Sequence, residues 1–478
     1  MIYIAFSILI KMYLFFNAFQ KSFYEYKSLF TYLIKNYPVL SLSSVSIGLL
    51  FIFENIYLNI IVIFSLLVQL LYLVKKSKVF LKITKRIVRL FLTTSFLTII
   101  FSLFINPFII DLILPLVIIL ADFINKPLEK LINKSYIEKA KNKIKNNSSI
   151  KIAITGSYGK TSVKNYIYDI LSSEYIVKRT PHSYNTPLGI SRFINEENFD
   201  YTDFIIYEFG ARRSNDIKEL NTYYKYDIAI VTEIGKMHID TFGSFEAILK
   251  EKMSLVDLLE DNKIAILNYE NKYIRNHDVR CKKYTYGYNY GDFTAKNIEL
   301  SIYGSKFDLY IYDKFIKRLS IKTLGRSSIL NVLPALIMCY LYDINYDVVS
   351  KIEQVTNRLS LRKFSDYYIL DDAYNSNIFG AIYAFEVLNT HLGKKYLITP
   401  GFVEMDMIKE ELVNQYGKEI SQTVDCVILV KNDFTILLEK SIKDKEVIFV
   451  ESFKDGFNLF LRIKEKDSIL LIENDLLN

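Results

Sequence analysis

The 478-residue chain, of 56.0 kDa, carries 60 lysines and arginines against 52 aspartates and glutamates, a net charge of +8, with 51 % hydrophobic residues and a mean hydropathy of +0.17. The apolar excess is concentrated in the first 125 residues, which argues against one uniformly soluble body and divides the chain into an apolar part and a mixed-charge part. No basic run with interleaved aromatics occurs in the second part, so nucleic acid is not an expected partner, and Cys281, Cys339 and Cys426 are too scattered for a zinc site or disulfide framework.

Taken in order, residues 1–19 are apolar apart from Lys11 and read as a retained membrane helix, since no small-residue cleavage site follows. Residues 39–53 and 56–74 read as a hairpin turning at Glu54 and Asn55, and 88–104 and 107–124 as a second pair turning at Asn106 and Pro107. This gives five spans, or four if one stretch lies in the interface. Lys75, Lys76, Lys78, Lys82, Lys85, Arg86 and Arg89 place one loop in the cytoplasm, as do Lys21, Lys27 and Lys35 for another. The N-terminus is then outside and everything after residue 125 is in the cytoplasm, at the face of the inner membrane, with membrane lipid as an expected partner of the N-terminal part. Residues 126–148 read as a basic amphipathic linker.

From residue 149 short apolar strands alternate with helices, as in IKIAIT, YTDFIIYEF, YDIAIVTEI and KIAILNY, which predicts a mostly parallel α/β sheet through about residue 350. The stretch 281–322 is expected to add antiparallel strands at its edge. A helix is predicted over 327–342. A second alternation, YYILDD, KKYLITP, DCVILVK, KEVIFV and SILLIE, predicts a smaller Rossmann-like α/β domain over 351–478, with a hinge near 345–358.

In IAITGSYGKTSV, a strand runs into a Gly-containing loop and then a helix, with Gly156, Ser157, Tyr158, Gly159, Lys160, Thr161 and Ser162 forming the shorter G-x-x-G-K-[ST] kind of phosphate loop. Backbone N–H groups and a helix N-terminus suit a phosphate chain, Lys160 would neutralise it and Thr161 would offer a hydroxyl to Mg²⁺. Glu208 ends the next apolar strand, where a carboxylate can hold a metal beside Thr161 or pair with Arg212 or Arg213. His238 follows a third strand end and is either a metal ligand or a structural histidine. Lys252, on a helix, reads by itself as solvated.

The ordered set TGSYGKTS, NTPLG, EFGARRSNDI, TEIGKMHIDTFGSFEAILKEK, LGRSSILN, NRLSLRKF, LDDAYNSN, TPGFVEM and ENDL resembles the Mur ligase family, in the branch that adds D-alanyl-D-alanine to a UDP-muramoyl tripeptide, over residues 150–478. The resemblance implies an ATP-dependent amide ligase of a phosphate-loop ATPase-type domain and a Rossmann-like domain, working through an acyl phosphate with two Mg²⁺ ions. It implies Lys160 and Thr161 on the phosphates, Glu208 bridging the metals, His238 on the second metal and Lys252 as a carbamylated ligand. Asn331 is implied near adenine, Arg358 and Asp372 where the C-terminal domain closes on the nucleotide with Tyr374 and Asn375 beside them, and Asn185 and Thr186 near the acyl substrate. A peptidoglycan precursor, UDP-linked or lipid-linked, and D-Ala-D-Ala or a similar amine are the implied partners of a monomeric enzyme. The chain departs from the family at Glu233 for Asn, Ser254 for Glu and Ser327 for His, and a membrane domain stands in place of the UDP-binding domain. A ligase for another polymer and a non-catalytic wall scaffold are the alternatives.

Overall fold

The computed structural model describes residues 2–22, 24–53, 56–76, 80–181, 183–237, 239–354, 359–373, 378–402 and 410–474. The chain divides into two compact units, Met1–Ser135 and Tyr136–Asn478.

The first unit is helical, with helices Ile2–Lys21, Tyr26–Phe53, Ile56–Lys76, Lys85–Ser102 and the first part of Pro107–Lys145. Among the described residues two, Tyr3–Lys21 and Pro107–Lys145, are long and apolar enough to cross a membrane, where five spans were expected. The second helix begins at Tyr26, not near residue 39, because Leu29 and Leu33 join the buried cluster of Phe15, Phe19 and Leu90 and so carry the helix through Lys27 and Lys35, which were expected in a loop. Glu54 and Asn55, the expected turn, lie outside the described residues. The unit also buries charge. Lys11 Nζ lies 2.7 Å from Asp111 Oδ2, and Ser7 and Ser44 donate to the same carboxylate at 3.0 and 2.7 Å. Large apolar side chains such as Ile34, Ile60, Phe64, Leu92, Phe96 and Phe123 are exposed. The unit thus combines a buried apolar cluster and a few buried polar groups with many exposed apolar side chains, more than a water-soluble bundle usually shows.

The expected linker is helical to Lys145, and its end belongs to the second unit. Ala140 and Ile144 are buried with Phe193, Phe199 and Tyr224, and Asn195 Nδ2 donates to the Tyr136 carbonyl at 3.0 Å.

Two sheets make up the second unit. The larger contains β1 (Ile150–Thr155), β2 (Val177–Arg179), β3 (Phe204–Glu208), β4 (Ile228–Val231), β5 (Ile264–Asn268), β6 (Lys282–Gly287), β7 (Phe293–Ser301), β8 (Gly304–Ile311) and β9 (Lys314–Ile321). Their order is β2-β3-β1-β4-β5-β6-β7-β8-β9, parallel from β2 to β7 and antiparallel from β7 to β9. The antiparallel addition therefore starts one strand later than expected, because β6 still pairs in parallel with β5. Both faces of the parallel part are covered, which is why strands such as β3, β4 and β5 read as continuous apolar runs. Ile152, Ile154, Ile206, Ile230 and Ile266 pack on one side with helices Lys160–Leu171 and Gly325–Tyr342. Ala153, Ile205, Tyr207, Ala229 and Val231 face the other, with helices Pro187–Glu196, Asp216–Tyr223 and Phe245–Asp257.

Strands β10 (Ser360–Lys363), β11 (Tyr367–Asp372), β12 (Lys395–Thr399), β13 (Cys426–Val430), β14 (Glu446–Val450) and β15 (Ser468–Glu473) form the second sheet, in the order β10-β11-β15-β12-β13-β14, parallel except for β10. The three cysteines are free and buried.

Candidate active site

The chain leaves β1 for the loop 156–159, while β2 and β3 lie to one side of β1 and β4 to the other. That reversal opens a crevice at the carboxyl ends of the strands, where ligands bind in open α/β sheets. The register Ile154 to Glu208 brings the end of β3 beside the loop.

Two glycines shape it. Gly156 has φ of 151°, and a Cβ there would lie 2.0 Å from Thr232 Oγ1; Gly159 has φ of 83°, and its Cβ would lie 2.5 Å from Asn331 Oδ1. A side chain would thus meet a neighbour at both positions, and at Gly159 would also force a left-handed backbone. The same contact puts Asn331, on helix Gly325–Tyr342, against the loop. The segment that follows β4 holds the loop from the other side: Ser157 N donates to the Glu233 carbonyl at 2.7 Å, Gly235 N to Ser157 Oγ at 3.1 Å, and Thr232 Oγ1 to the Tyr158 carbonyl at 2.6 Å.

Lys160 folds back onto the loop, donating to the carbonyls of Gly156 at 2.6 Å and Ser157 at 3.2 Å. Thr161 Oγ1 donates to Glu208 Oε2 at 3.0 Å, and Asn185 Nδ2 to Glu208 Oε1 at 3.3 Å. Asn185 is held in turn by Gly210, whose N–H donates to its carbonyl at 2.8 Å. The ion partner of Glu208 is Lys164, 2.9 Å from Oε2, with both side chains almost wholly buried. Burial raises the Glu208 carboxyl, but Lys164 and Lys160, with the hydrogen bonds from Lys164 and Thr161, hold it below the usual carboxylate range.

Lys252 is buried and not solvated as its sequence position suggested; its Nζ donates to the Ala211 carbonyl at 3.2 Å. Burial, then repulsion from Lys160, lowers the ammonium to about 7. Its neighbour Glu251 accepts from the N–H groups of Asn215 at 2.7 Å and Ile217 at 2.8 Å, which ties helix Phe245–Asp257 to the start of helix Asp216–Tyr223. Thr186, expected near substrate, caps helix Pro187–Glu196 through Gly189 N at 3.2 Å. The unusual Glu233 accepts from Asn268 Nδ2 at 2.9 Å and from Asn271 Nδ2, and burial lifts its carboxyl to about 7.

Asp372 ends β11 beside Glu473 of β15 and accepts from Leu359 N at 2.9 Å. His238, Arg358, Tyr374 and Asn375 lie outside the described residues. The structure thus joins residues 156–162, Asn185, Glu208 and Asn331 at one edge, with Lys252 within electrostatic reach of Lys160. Lys164 and Glu251 are the members that sequence reading missed.

No group of three histidine, cysteine or acidic side chains suited to a metal occurs among the described residues. The Thr161 hydroxyl and Glu208 carboxylate nevertheless fit Mg²⁺: their oxygens are 3.0 Å apart, the edge of an octahedron with bonds of ~2.1 Å.

Residues 154–339 match the Mur ligase middle domain. The chain carries a Mur ligase middle domain. It is 26 % identical over 330 residues to the UDP-N-acetylmuramoyl-tripeptide–D-alanyl-D-alanine ligase of Bacillus subtilis, covering 66 % of this chain and 70 % of that one. The corresponding ligase of Escherichia coli is 26 % identical over 277 residues, covering 56 % of this chain and 61 % of that one. Among solved structures, MurF ligase from Thermotoga maritima in complex with ADP superimposes with a TM-score of 0.65 at 20 % identity, covering 72 % of this chain and 80 % of the other. MurF from Acinetobacter baumannii gives 0.63 at 19 %, with 72 % and 77 % covered. The chain is a homologue of MurF-type ligases and shares the Mur ligase α/β fold.

Proposed function

We propose that the protein is an ATP-dependent amide ligase that adds D-alanyl-D-alanine or a similar amine to a muramoyl-peptide precursor of peptidoglycan. The observation that carries this reading is the Thr161–Glu208 pair at the mouth of a glycine-shaped loop, with Lys160 folded over that loop. The relatives named above are ligases of this kind. ATP is the nucleotide, in keeping with the ADP bound to the Thermotoga maritima neighbour.

The loop N–H groups and the start of helix Lys160–Leu171 receive the phosphates. Lys160 then exchanges its two carbonyl partners for phosphate oxygens, a short movement of a side chain already at the site. Thr161 and Glu208 would hold Mg²⁺, which supplies charge neutralisation on the transferring phosphoryl group when bound. The acceptor carboxylate attacks the γ-phosphate, ADP leaves, and the amine displaces phosphate from the acyl phosphate through a tetrahedral intermediate. Both steps build negative charge on oxygens, which Lys160 and loop donors stabilise. Lys252, with an ammonium near 7, is partly the free amine at neutral pH and so suited to carbamylation, which would make it an anionic ligand; His238 would hold a second ion. Asn331 would contact the base, Asn185 and Thr186 the acceptor, and Asp372, Arg358, Tyr374 and Asn375 would complete the site when the two sheets close.

We further propose that the N-terminal unit lies in the membrane, with the α/β unit on its cytoplasmic side. Its exposed apolar side chains, its two long apolar helices and the basic residues 75–89 support this. Phosphate release from ATP and Mg²⁺ is to be measured with D-Ala-D-Ala and, in parallel, UDP-linked and lipid-linked muramoyl tripeptide. Release with either supports the ligase reading and identifies the acceptor; none with both overturns it.

A further inference from the structure

Lys164 has no task in the ligase scheme, yet it sits in the middle of the site. It lies one helical turn after Lys160, so both lysines emerge on the same side of helix Lys160–Leu171. Lys160 turns toward the loop carbonyls and remains partly exposed, as the phosphate-contacting lysine must. Lys164 turns inward, where its side chain is 1 % exposed against 2 % for Glu208. Such burial keeps it from meeting substrate directly and sets its charge against Glu208.

The geometry has a consequence for metal binding. Glu208 Oε2 accepts from Lys164 at 2.9 Å and from Thr161 at 3.0 Å, while Oε1 accepts from Asn185 at 3.3 Å. The oxygen that faces Thr161, and that would share a divalent ion with it, is therefore already neutralised by a full positive charge. A cation entering there without nucleotide meets the Glu208 carboxylate with Lys164 as an immediate repulsive neighbour. Nucleotide phosphates reverse the balance, because they bring several negative charges to the same point. Buried charges at this range are poorly screened by salt, so the repulsion cannot be relieved by counterions.

We propose that Lys164 is a built-in counter-cation that makes divalent-metal binding at Thr161 and Glu208 conditional on bound nucleotide phosphate. Lys164 keeps Glu208 aimed at Thr161 while the site is empty, and it withholds the metal until the phosphates arrive. The inference rests on the nucleotide-ligase reading.

The test is Mn²⁺ binding by the full-length protein, followed by electron paramagnetic resonance with and without saturating ADP. Lys164→Gln keeps an N–H donor for Glu208 and removes the charge, and Lys164→Arg keeps the charge. The parent and Lys164→Arg are expected to bind Mn²⁺ weakly alone and far more tightly with ADP. Lys164→Gln is expected to bind Mn²⁺ alone at least ~10-fold more tightly than the parent, and so to show a smaller gain from ADP. Lys164→Gln binding Mn²⁺ alone no better than the parent would overturn the inference. So would a parent whose Mn²⁺ affinity is the same with and without ADP, a result that needs no variant to fold. Failure of the parent to bind ADP in the presence of Mn²⁺ would instead remove the ligase reading itself.

Discussion

Among the described residues each unit buries a lysine–carboxylate pair, and the surroundings of the two pairs differ. Lys11 and Asp111 meet inside a helical bundle whose core includes Phe15, Phe16 and Leu114, with the hydroxyls of Ser7, Ser43 and Ser44 around them. Lys164 and Glu208 meet at the carboxyl edge of a parallel sheet, where Thr161 and the phosphate loop border the same carboxylate. The first pair is almost wholly buried among the helices of its unit, a setting in which a buried ion pair can fix the choice of helix partners. The second is open toward a loop built for anions, so its charge can be traded with a ligand. A buried ion pair is therefore not by itself a sign of function; what borders it decides.

Breaking the pairs one at a time sharpens that contrast. Asp111→Ala leaves Lys11 buried and uncompensated, and is expected to cost about 3–5 kcal/mol in thermal or denaturant unfolding of the first unit. Turnover per folded molecule should not change, and Lys11→Met with Asp111→Leu should recover most of the stability. At the other pair's edge, Lys160→Ala is expected to lower ATP turnover by about 100- to 1,000-fold with little change in unfolding. Turnover equal to the parent's would contradict its placement on the phosphates.

Next in size is Glu233, whose carboxyl stands near 7 in the folded protein against an ordinary 4.5. Because the folded value is raised, the folded state holds an extra proton between those values. Its contribution to stability is full below about pH 4.5 and is lost as the pH rises through 7, a loss of up to about 3 kcal/mol. The thermal midpoint of Glu233→Gln should therefore fall less between pH 5 and 8 than that of the parent. Parallel pH profiles would show that the group is not buried as described. Smallest is Gly159→Ala, which forces a side chain into a left-handed position beside Asn331. It is expected to cost about 1–2 kcal/mol of stability and to weaken ADP binding, read by calorimetry.

The contrast also explains what the sequence could reveal. The central strands of both sheets are legible because they are buried on two faces and so appear as uninterrupted apolar runs, as in IAIV and CVILV. The phosphate loop is legible because its glycines, lysine and threonine are adjacent in sequence. Lys164 is not, since in KTSVKNY it looks like any helical lysine, and only the packing of helix Lys160–Leu171 over β3 buries it. Lys252 and Glu251 hide for the same reason: their partners, Ala211 and the start of helix Asp216–Tyr223, lie more than thirty residues earlier. In the first unit hydropathy marks apolar stretches but not helix starts, so the helix that begins at Tyr26 reads from sequence as beginning near 39. The early end of the α/β unit was missed because KAKNKIKNN is dominated by its lysines, whereas Ala140 and Ile144 between them do the packing.

The most direct test of the central claim is the stoichiometry of the purified protein given ATP, Mg²⁺, a muramoyl-tripeptide acceptor and D-Ala-D-Ala. Mass spectrometry of the peptide product is to be set against phosphate release. The account predicts one new amide bond per ATP converted to ADP and phosphate, with both lost in Lys160→Ala. Phosphate release that proceeds without amide formation, or at the same rate in Lys160→Ala, would contradict it.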